Sequence, residues 1–393
     1  MIFQHAMYLK KVGYEVVIVP QEPFEAHGYK WHPAFDSLQF STFNEEKNNV
    51  FDVIIATMWK TIYDLPLLQG IRYIYYVQSI ETWFYPDQQK NLRKLVASTY
   101  ELPITVVCVA NWIRDYLQQK YSRTVFLAHN GIRKDLYTVN GKCTEPKNKK
   151  KLRVLVEGPL GIDFKNVART IRLIQKTKAD EIWLLTGRPI NRYWGVDKVF
   201  SMIPIEKTPE IYRSCDVLVK LSYVEGMFGP PLEMFHCGGT SVVYDVSGYD
   251  EYIVHEINAL VVPTGDEEGV ISAVNRLKDD KSLLEKLKFG AIATADAWPD
   301  WHKCSENFLT CLQDIITLQE SDKEMINNLV KSSWEDYCES ARADIDLLAR
   351  ITSFSKRLVH AIERRIPLIE HEKRALTAWL FESRRLPKAR SKD

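Results

Sequence analysis

The sequence predicts an α/β protein of two doubly wound domains followed by a helical extension. Three observations carry that prediction. Short apolar, β-rich runs alternate with helical segments, and the alternation occurs twice. A polar, basic stretch over 138–151 separates the two series. Beyond Gly265 the pattern is helical to the end.

Taken in order, Phe3 to Val12 has helical spacing (Met7, Leu9, Val12) and ends at Gly13. Tyr14 to Pro20 then reads as a buried strand. The runs Phe51–Thr57, Ile71–Gln78 and Ile104–Ala110 are short and bounded by polar or helical segments, as parallel strands are. Asn111–Leu117 is expected as a helix capped by Asn111. Thr124–Ala128 is a further strand and leads into His129-Asn130-Gly131-Ile132. The segment Thr138–Lys151, with Lys147, Lys149, Lys150 and Lys151, reads as a solvated hinge.

The second series opens with the strand Leu152–Gly158 and an amphipathic helix reaching Lys176, followed by the strand Glu181–Gly187. Asp216–Leu221 is the strand before the most informative stretch, Ser222 to Gly239. There Pro230 and Pro231 fall where a helix starts, and Gly238-Gly239 where it stops. The unit is strand, glycine-containing loop, helix. Such a loop aims backbone N–H groups at open space and suits a phosphate. Two carboxylates bracket it, Glu225 in the loop and Glu233 on the helix. One suits the hydroxyls of a sugar and the other a ribose diol. By itself the spacing is weak, because glutamate is common; a loop carboxylate in water and a helix N-terminal carboxylate are the ordinary readings.

Bulk properties narrow the class. With 393 residues, 46% hydrophobic and 26% charged, the chain is globular and long enough for two or three domains. A net charge of +1 gives no field that argues for nucleic acid. The seven cysteines (Cys108, Cys143, Cys215, Cys237, Cys304, Cys311, Cys338) show no metal-ligand spacing and read as reduced thiols of a cytoplasmic protein. No apolar run approaches the ~20 residues of a membrane span, and the start is not a signal peptide.

The string Glu225-Gly-Met-Phe-Gly-Pro-Pro-Leu-Glu233-Met-Phe-His-Cys-Gly resembles the donor-binding signature of retaining nucleotide-sugar glycosyltransferases of family four. Thr240–Tyr244, Gly248–Ile253 and Asn258–Pro263 follow in that family's order, and Asn130-Gly131-Ile132 resembles its signature at the end of domain one. The variant looks most like bacterial rhamnosyl or surface-polysaccharide transferases. The resemblance covers roughly the first three quarters of the chain. It implies the GT-B fold, two Rossmann-like domains facing a cleft: an acceptor domain over 1–137, the basic linker 138–151, and a nucleotide-sugar domain over 152–297. A closing helix over 298–318 would return to domain one, and 319–393 would form a helical extension with a basic tail (Arg384, Arg385, Lys388, Arg390, Lys392). It also implies that domain one lacks its first strand; a fragment or a mis-assigned start is the expected cause, and a shorter sheet that suffices is the alternative.

The implied chemistry moves a hexose, with rhamnose the candidate, from a nucleoside-diphosphate sugar to a saccharide or lipid-linked acceptor, without a metal or other cofactor. Glu225 would hold the transferred sugar and Glu233 the ribose. Lys165, after the turn at Gly158, would bind the diphosphate, and Phe228, Gly229 and Pro230 would offer backbone contacts. The family's arginine after that glycine is Pro159 here; Arg188 could supply charge. Where many relatives carry a histidine this chain has Gln78, which can hydrogen-bond a sugar but is no base at neutral pH, leaving a role for nearby Glu81. Retention would follow same-face attack, the leaving diphosphate taking the acceptor's proton. The expected location is the cytoplasm, or the inner membrane face through the tail. Asp344-Ile-Asp346 lies in the helical tail and reads as a solvated face, which disfavours a metal-dependent GT-A enzyme, and no GxGxxG follows a strand. The rival reading is a catalytically inactive or regulatory nucleotide-sugar-binding subunit.

Overall fold

The computed structural model describes residues 1–21 and 31–341. The chain divides into two compact units, 1–331 and 332–393. In the second, residues 332–341 are helical and the Trp334 and Tyr337 rings lie 5.8 Å apart. The expected basic tail and Asp344-Ile-Asp346 fall outside the described residues.

In the first unit, helix α1 (Ile2–Lys11) precedes β1 (Val17–Ile18), which pairs in parallel with β2 (Gln39–Phe40). Short helices α2 (Ala34–Ser37), α3 (Phe43–Glu46) and α4 (Trp59–Ile62) surround β3 (Val50–Ala56). Then come β4 (Gln69–Val77), α5 (Lys90–Ser98), β5 (Thr105–Cys108), α6 (Asn111–Tyr121) and β6 (Val125–Leu127). These strands form a parallel sheet in the order β3-β4-β5-β6, apart from the β1-β2 ribbon. The strand expected over Tyr14–Pro20 is thus a two-residue pairing outside the main sheet. Even its two residues, Val17 and Ile18, are only half-buried, so little burial holds more of the run extended.

The second sheet is built from β7 (Arg153–Glu157), β8 (Glu181–Thr186), β9 (Lys198–Ser201), β10 (Val217–Lys220), β11 (Thr240–Tyr244) and β12 (Ala259–Val262). All pairs are parallel, in the order β12-β11-β10-β7-β8-β9. Alternate residues serve opposite faces: Val154, Val156, Val217 and Val219 join one apolar cluster, Leu155 and Leu218 the other. Both faces are therefore covered, which is why these strands are continuous apolar runs. Helix α7 (Val167–Ile174) belongs to the first cluster with α10 (Glu267–Asp279). Helices α8 (Thr208–Ser214) and α9 (Gly229–His236) belong to the second. Helix α11 (Lys281–Ala297) contributes to both.

Helix α12 (Trp301–Ile316) carries the chain back to the first sheet. The backbone is tied at its start, where Trp301 N donates to Ile132 O and Ile132 N donates to Pro299 O, each at 3.3 Å. Gly131 permits this approach, since a Cβ there would lie 2.4 Å from the Asp300 carbonyl carbon. Further on, Arg72 Nη2 donates to Leu318 O at 2.8 Å.

Two local expectations change. Asn111 is the first residue inside α6 and Ala110 its cap, because the Asn111 side chain is engaged elsewhere: Nδ2 donates to Glu251 Oε2 at 3.0 Å. The 138–151 stretch is not a loose hinge. Arg213 Nη1 donates to Leu136 O and Thr138 O at 3.2 Å and its Nε to Lys142 O at 2.8 Å, while Lys147 Nζ donates to Gly238 O. The stretch is mostly exposed, as expected, but it is tied at these points to a buried guanidinium. Among the described residues no helix is long and apolar enough to cross a membrane.

Candidate functional site

From β7 the chain builds outward through β8 to β9, then returns to β10 on the other side of β7 and builds out through β11 to β12. The switch point therefore lies between β7 and β10, and the carboxyl ends of such strands open a crevice for ligands. The last residues of those two strands are Glu157 and Lys220. Lys220 Nζ donates to Glu157 Oε2 at 2.8 Å and to Glu157 O at 3.2 Å.

From there an alternating line of charge runs to the loop. Lys220 Nζ lies 3.8 Å from Glu225 Oε1, and Lys165 Nζ donates to Glu225 Oε2 at 2.8 Å. Glu225 is 6% exposed. Burial alone would raise its pKa, but Lys165 and Lys220 overcome that and hold it below the ordinary carboxylate value. Lys220 is buried too; Glu157 and Glu225 outweigh the desolvation that would discharge it and raise its pKa. Glu225 Oε1 is buried and has no hydrogen-bond partner among the described residues. An ionised carboxylate oxygen in that state asks for a donor.

Each piece is placed by local sequence. Gly158 has φ 143, outside the reach of most side chains, and a Cβ there would lie 2.9 Å from Val167 and 3.7 Å from Lys220 Nζ. A 3₁₀ turn, Asp163–Lys165, followed by Asn166 at φ 55, presents Lys165 just before α7. Gly229, Pro230 and Pro231 open α9. Proline there wastes no donor, since the first N–H groups of a helix lack intrahelical partners.

Glu233, one turn into α9, is half-buried and lines a cavity of about 400 Å³ with Trp31, Tyr137, Glu157, Thr186, Gly187, Met202, Ile203, Ile205, Thr208 and Tyr212. Burial, then the neighbouring Glu157 charge, push the Glu233 pKa up to about 7; hydrogen bonds from Tyr212 and Tyr137 oppose the shift.

The first half closes directly on the loop. Ser79 Oγ donates to Glu225 O at 3.0 Å, and Trp112 Nε1 donates to Gly226 O at 2.9 Å. Trp112 N donates to Glu251 Oε1 at 2.9 Å, so a carboxylate from the second half sits on the N-terminus of α6. The Phe84 and Phe164 rings stack at 4.6 Å.

The expected residues thus divide. Glu225, Lys165 and Gly158 come together, and Glu233 joins them through Glu157. Gln78 presents its backbone to Gly226 and uses its amide to donate to Thr57 O at 2.6 Å. The backbone contacts expected of the loop are largely used internally. Gly229 N donates to Met227 O at 2.9 Å, Phe228 O accepts from the Tyr252 hydroxyl, and Pro230 has no N–H. Arg188 is exposed and braces the glycine loop, its Nε donating to Leu160 O at 3.1 Å.

Glu81 is turned inward. It is 3% exposed, and its Oε2 accepts from Trp59 N at 2.6 Å and Tyr75 OH at 2.5 Å. A carboxyl group bonded inward that way joins Trp59 and Tyr75 within the first half. The sequence reading missed Glu157, Lys220, Tyr137, Tyr212 and Trp31. A lysine closing an otherwise apolar strand, Val-Leu-Val-Lys220, was the signal for one of them.

Comparison with known proteins fits this geometry. Residues 197–293 match the family described as Glycosyl transferases group 1. No curated protein matches the chain. Among solved structures, sucrose-phosphate synthase from Thermosynechococcus elongatus superposes with a TM-score of 0.60 at 16% identity, covering 79% of this chain and 92% of that one. Anabaena Alr3699/HepE in complex with UDP and glucose gives 0.62 at 12%, covering 79% and 96%. A glycosyltransferase from Rickettsia africae gives 0.57 at 13%, covering 80% and 93%. The fold is that of these proteins: two Rossmann-like domains in the GT-B arrangement, with the segment that matches the group 1 model, 197–293, lying in the second.

Proposed function

We propose that this protein is a glycosyltransferase that takes a nucleoside-diphosphate sugar as donor and moves its hexose, with retention and without a metal, to a saccharide or lipid-linked acceptor in surface-polysaccharide synthesis. The carrying observation is Glu225: a buried, ionised carboxylate with one oxygen bonded to Lys165 and the other 3.8 Å from Lys220 with no hydrogen bond of its own. A sugar hydroxyl supplies the missing donor, and Lys165 lies one bond away for the diphosphate. Glu233 and the cavity beside it suit the ribose and base.

In the reaction the acceptor hydroxyl attacks the anomeric carbon on the face from which the diphosphate leaves. The carbon–oxygen bond to phosphate breaks as the new glycosidic bond forms, and the hydroxyl proton passes to the departing phosphate oxygen. Glu225 then need not accept a proton, in keeping with the two ammonium groups that hold it ionised. Lys165 neutralises the leaving group as its charge grows. Anabaena HepE, solved with UDP and glucose, supports a UDP-type donor; the rhamnosyl assignment rests on the loop string.

The test is a thermal-shift panel with UDP, GDP, ADP and dTDP on wild type and Glu233→Ala. A ligand at a hundred times its Kd adds ~2.7 kcal/mol. One nucleotide should stabilise the wild type and not the variant, naming the base. A folded protein that none of the four stabilises would sink the proposal.

A further inference from the structure

Among the described residues the cavity beside Glu233 is lined by the second half of the chain, with two exceptions, Trp31 and, just before the 138–151 strap, Tyr137. Its chemistry is two-sided. Leu185, Ile203 and Ile205 give an apolar wall, whereas Glu157, Glu233, Tyr212 and Thr208 give a polar one. Trp31 is fixed at the apolar edge, because its carbonyl accepts from Ile205 N at 3.1 Å. Its ring is braced from its own side by Phe3 at 5.7 Å, His32 at 5.4 Å and Phe35 at 6.0 Å, yet the residue stays 41% exposed. Across the wall, Met202 holds φ 53, a conformation that costs a β-carbon-bearing residue energy and marks sites where shape is being enforced.

A flat aromatic ring joined to a diol has the same two sides. We propose that Trp31 is the stacking partner of the donor's nucleobase, with the base against the indole and the Ile203–Ile205 wall, and the ribose toward Glu233. This rests on the nucleotide-sugar reading above and adds a consequence to it. The stacking ring comes from the first half and most of the pocket from the second, so both halves contribute to nucleotide affinity.

The test uses the full chain as wild type, Trp31→Ala and Trp31→Phe, with calorimetric Kd values for UDP, GDP, ADP, dTDP and inorganic pyrophosphate. Base–aromatic stacking predicts that Trp31→Ala weakens the best nucleotide roughly 5- to 150-fold, that Trp31→Phe keeps most of the affinity, and that pyrophosphate binds all three alike. Nucleotide should also quench wild-type tryptophan fluorescence more than that of Trp31→Phe, a readout independent of the alanine variant's folding. Equal nucleotide affinity in wild type and Trp31→Ala, or a parallel loss of pyrophosphate, would overturn the stacking role alone. If the wild type binds no nucleotide, the donor reading fails and takes this assignment with it.

Discussion

Glu225 shows how a single side chain can be made costly to hold and useful for that reason. A lone buried carboxylate would take up a proton; here the ammonium groups of Lys165 and Lys220 keep it charged. Losing the charge while keeping the shape isolates its role. Glu225→Gln should retain nucleotide binding and lower kcat/KM roughly 10- to 150-fold, the worth of a hydrogen bond to a charged group. Unchanged turnover in a coupled diphosphate-release assay would remove Glu225 from the reaction. Residues were legible in the sequence only where a motif named them. Glu225 and Glu233 stood in a recognisable string, and Lys165 followed a recognisable glycine turn. Glu157 and Lys220 did not, since each closes a β-strand and their 2.8 Å contact joins positions 63 residues apart. The inward direction of Glu81 was not legible, because proximity in sequence to Gln78 says nothing about which way a 3₁₀ turn, Glu81–Phe84, directs it.

At the scale of elements, the loop before α9 meets the end of β4 with no space to spare. An added Cβ at Gly226 would lie 1.7 Å from Gln78 O, and one at Gly248 would lie 2.3 Å from Trp112 Nε1. These two glycines let a strand end and a helix start press onto the donor loop. Gly226→Ala should therefore force the halves apart locally, lowering kcat/KM at least about 10-fold by misplacing the acceptor side while nucleotide affinity stays near wild type. A variant with wild-type turnover would show that closure tolerates the methyl. Strand and helix order was readable throughout, because parallel strands buried on both faces leave apolar runs that helices separate. Local detail changed wherever a side chain found a partner far away: Asn111 entered its helix when Glu251 took its amide, and Arg213 tied the strap at Thr138 and Lys142. Neither partner lies within 65 residues of what it holds.

For the molecule as a whole, buried ionisable groups set opposing limits on stability. Burial raises the Glu81 pKa from 4.5 to about 7, against hydrogen bonds from Tyr75 and Trp59. The native state thus keeps a proton that the unfolded chain releases between pH 4.5 and 7, and stability falls as pH rises through that window. His5, between Ser305 and Tyr76, works the other way: burial and the nearby N-terminal charge lower its pKa from 6.5 to about 3. Below pH 6.5 the unfolded chain takes a proton that the native state refuses, so stability falls with acid. Glutamine at position 81 cannot ionise. Relative to wild type, Glu81→Gln should gain about 3 kcal/mol between pH 5 and pH 8 in urea unfolding, and parallel curves for the two proteins would show that Glu81 does not titrate there. One feature of the first sheet bears on handling. Among the described residues β3 hydrogen-bonds only to β4, and β1 pairs away from it with β2. The other side of Val-Phe-Asp-Val-Ile-Ile-Ala is a parallel edge rich in β-branched residues, with Val50 at its start 71% exposed. Such an edge recruits strands from other chains, so concentrated stocks should cloud first through this seam, and a charged residue at position 50 should keep them clear.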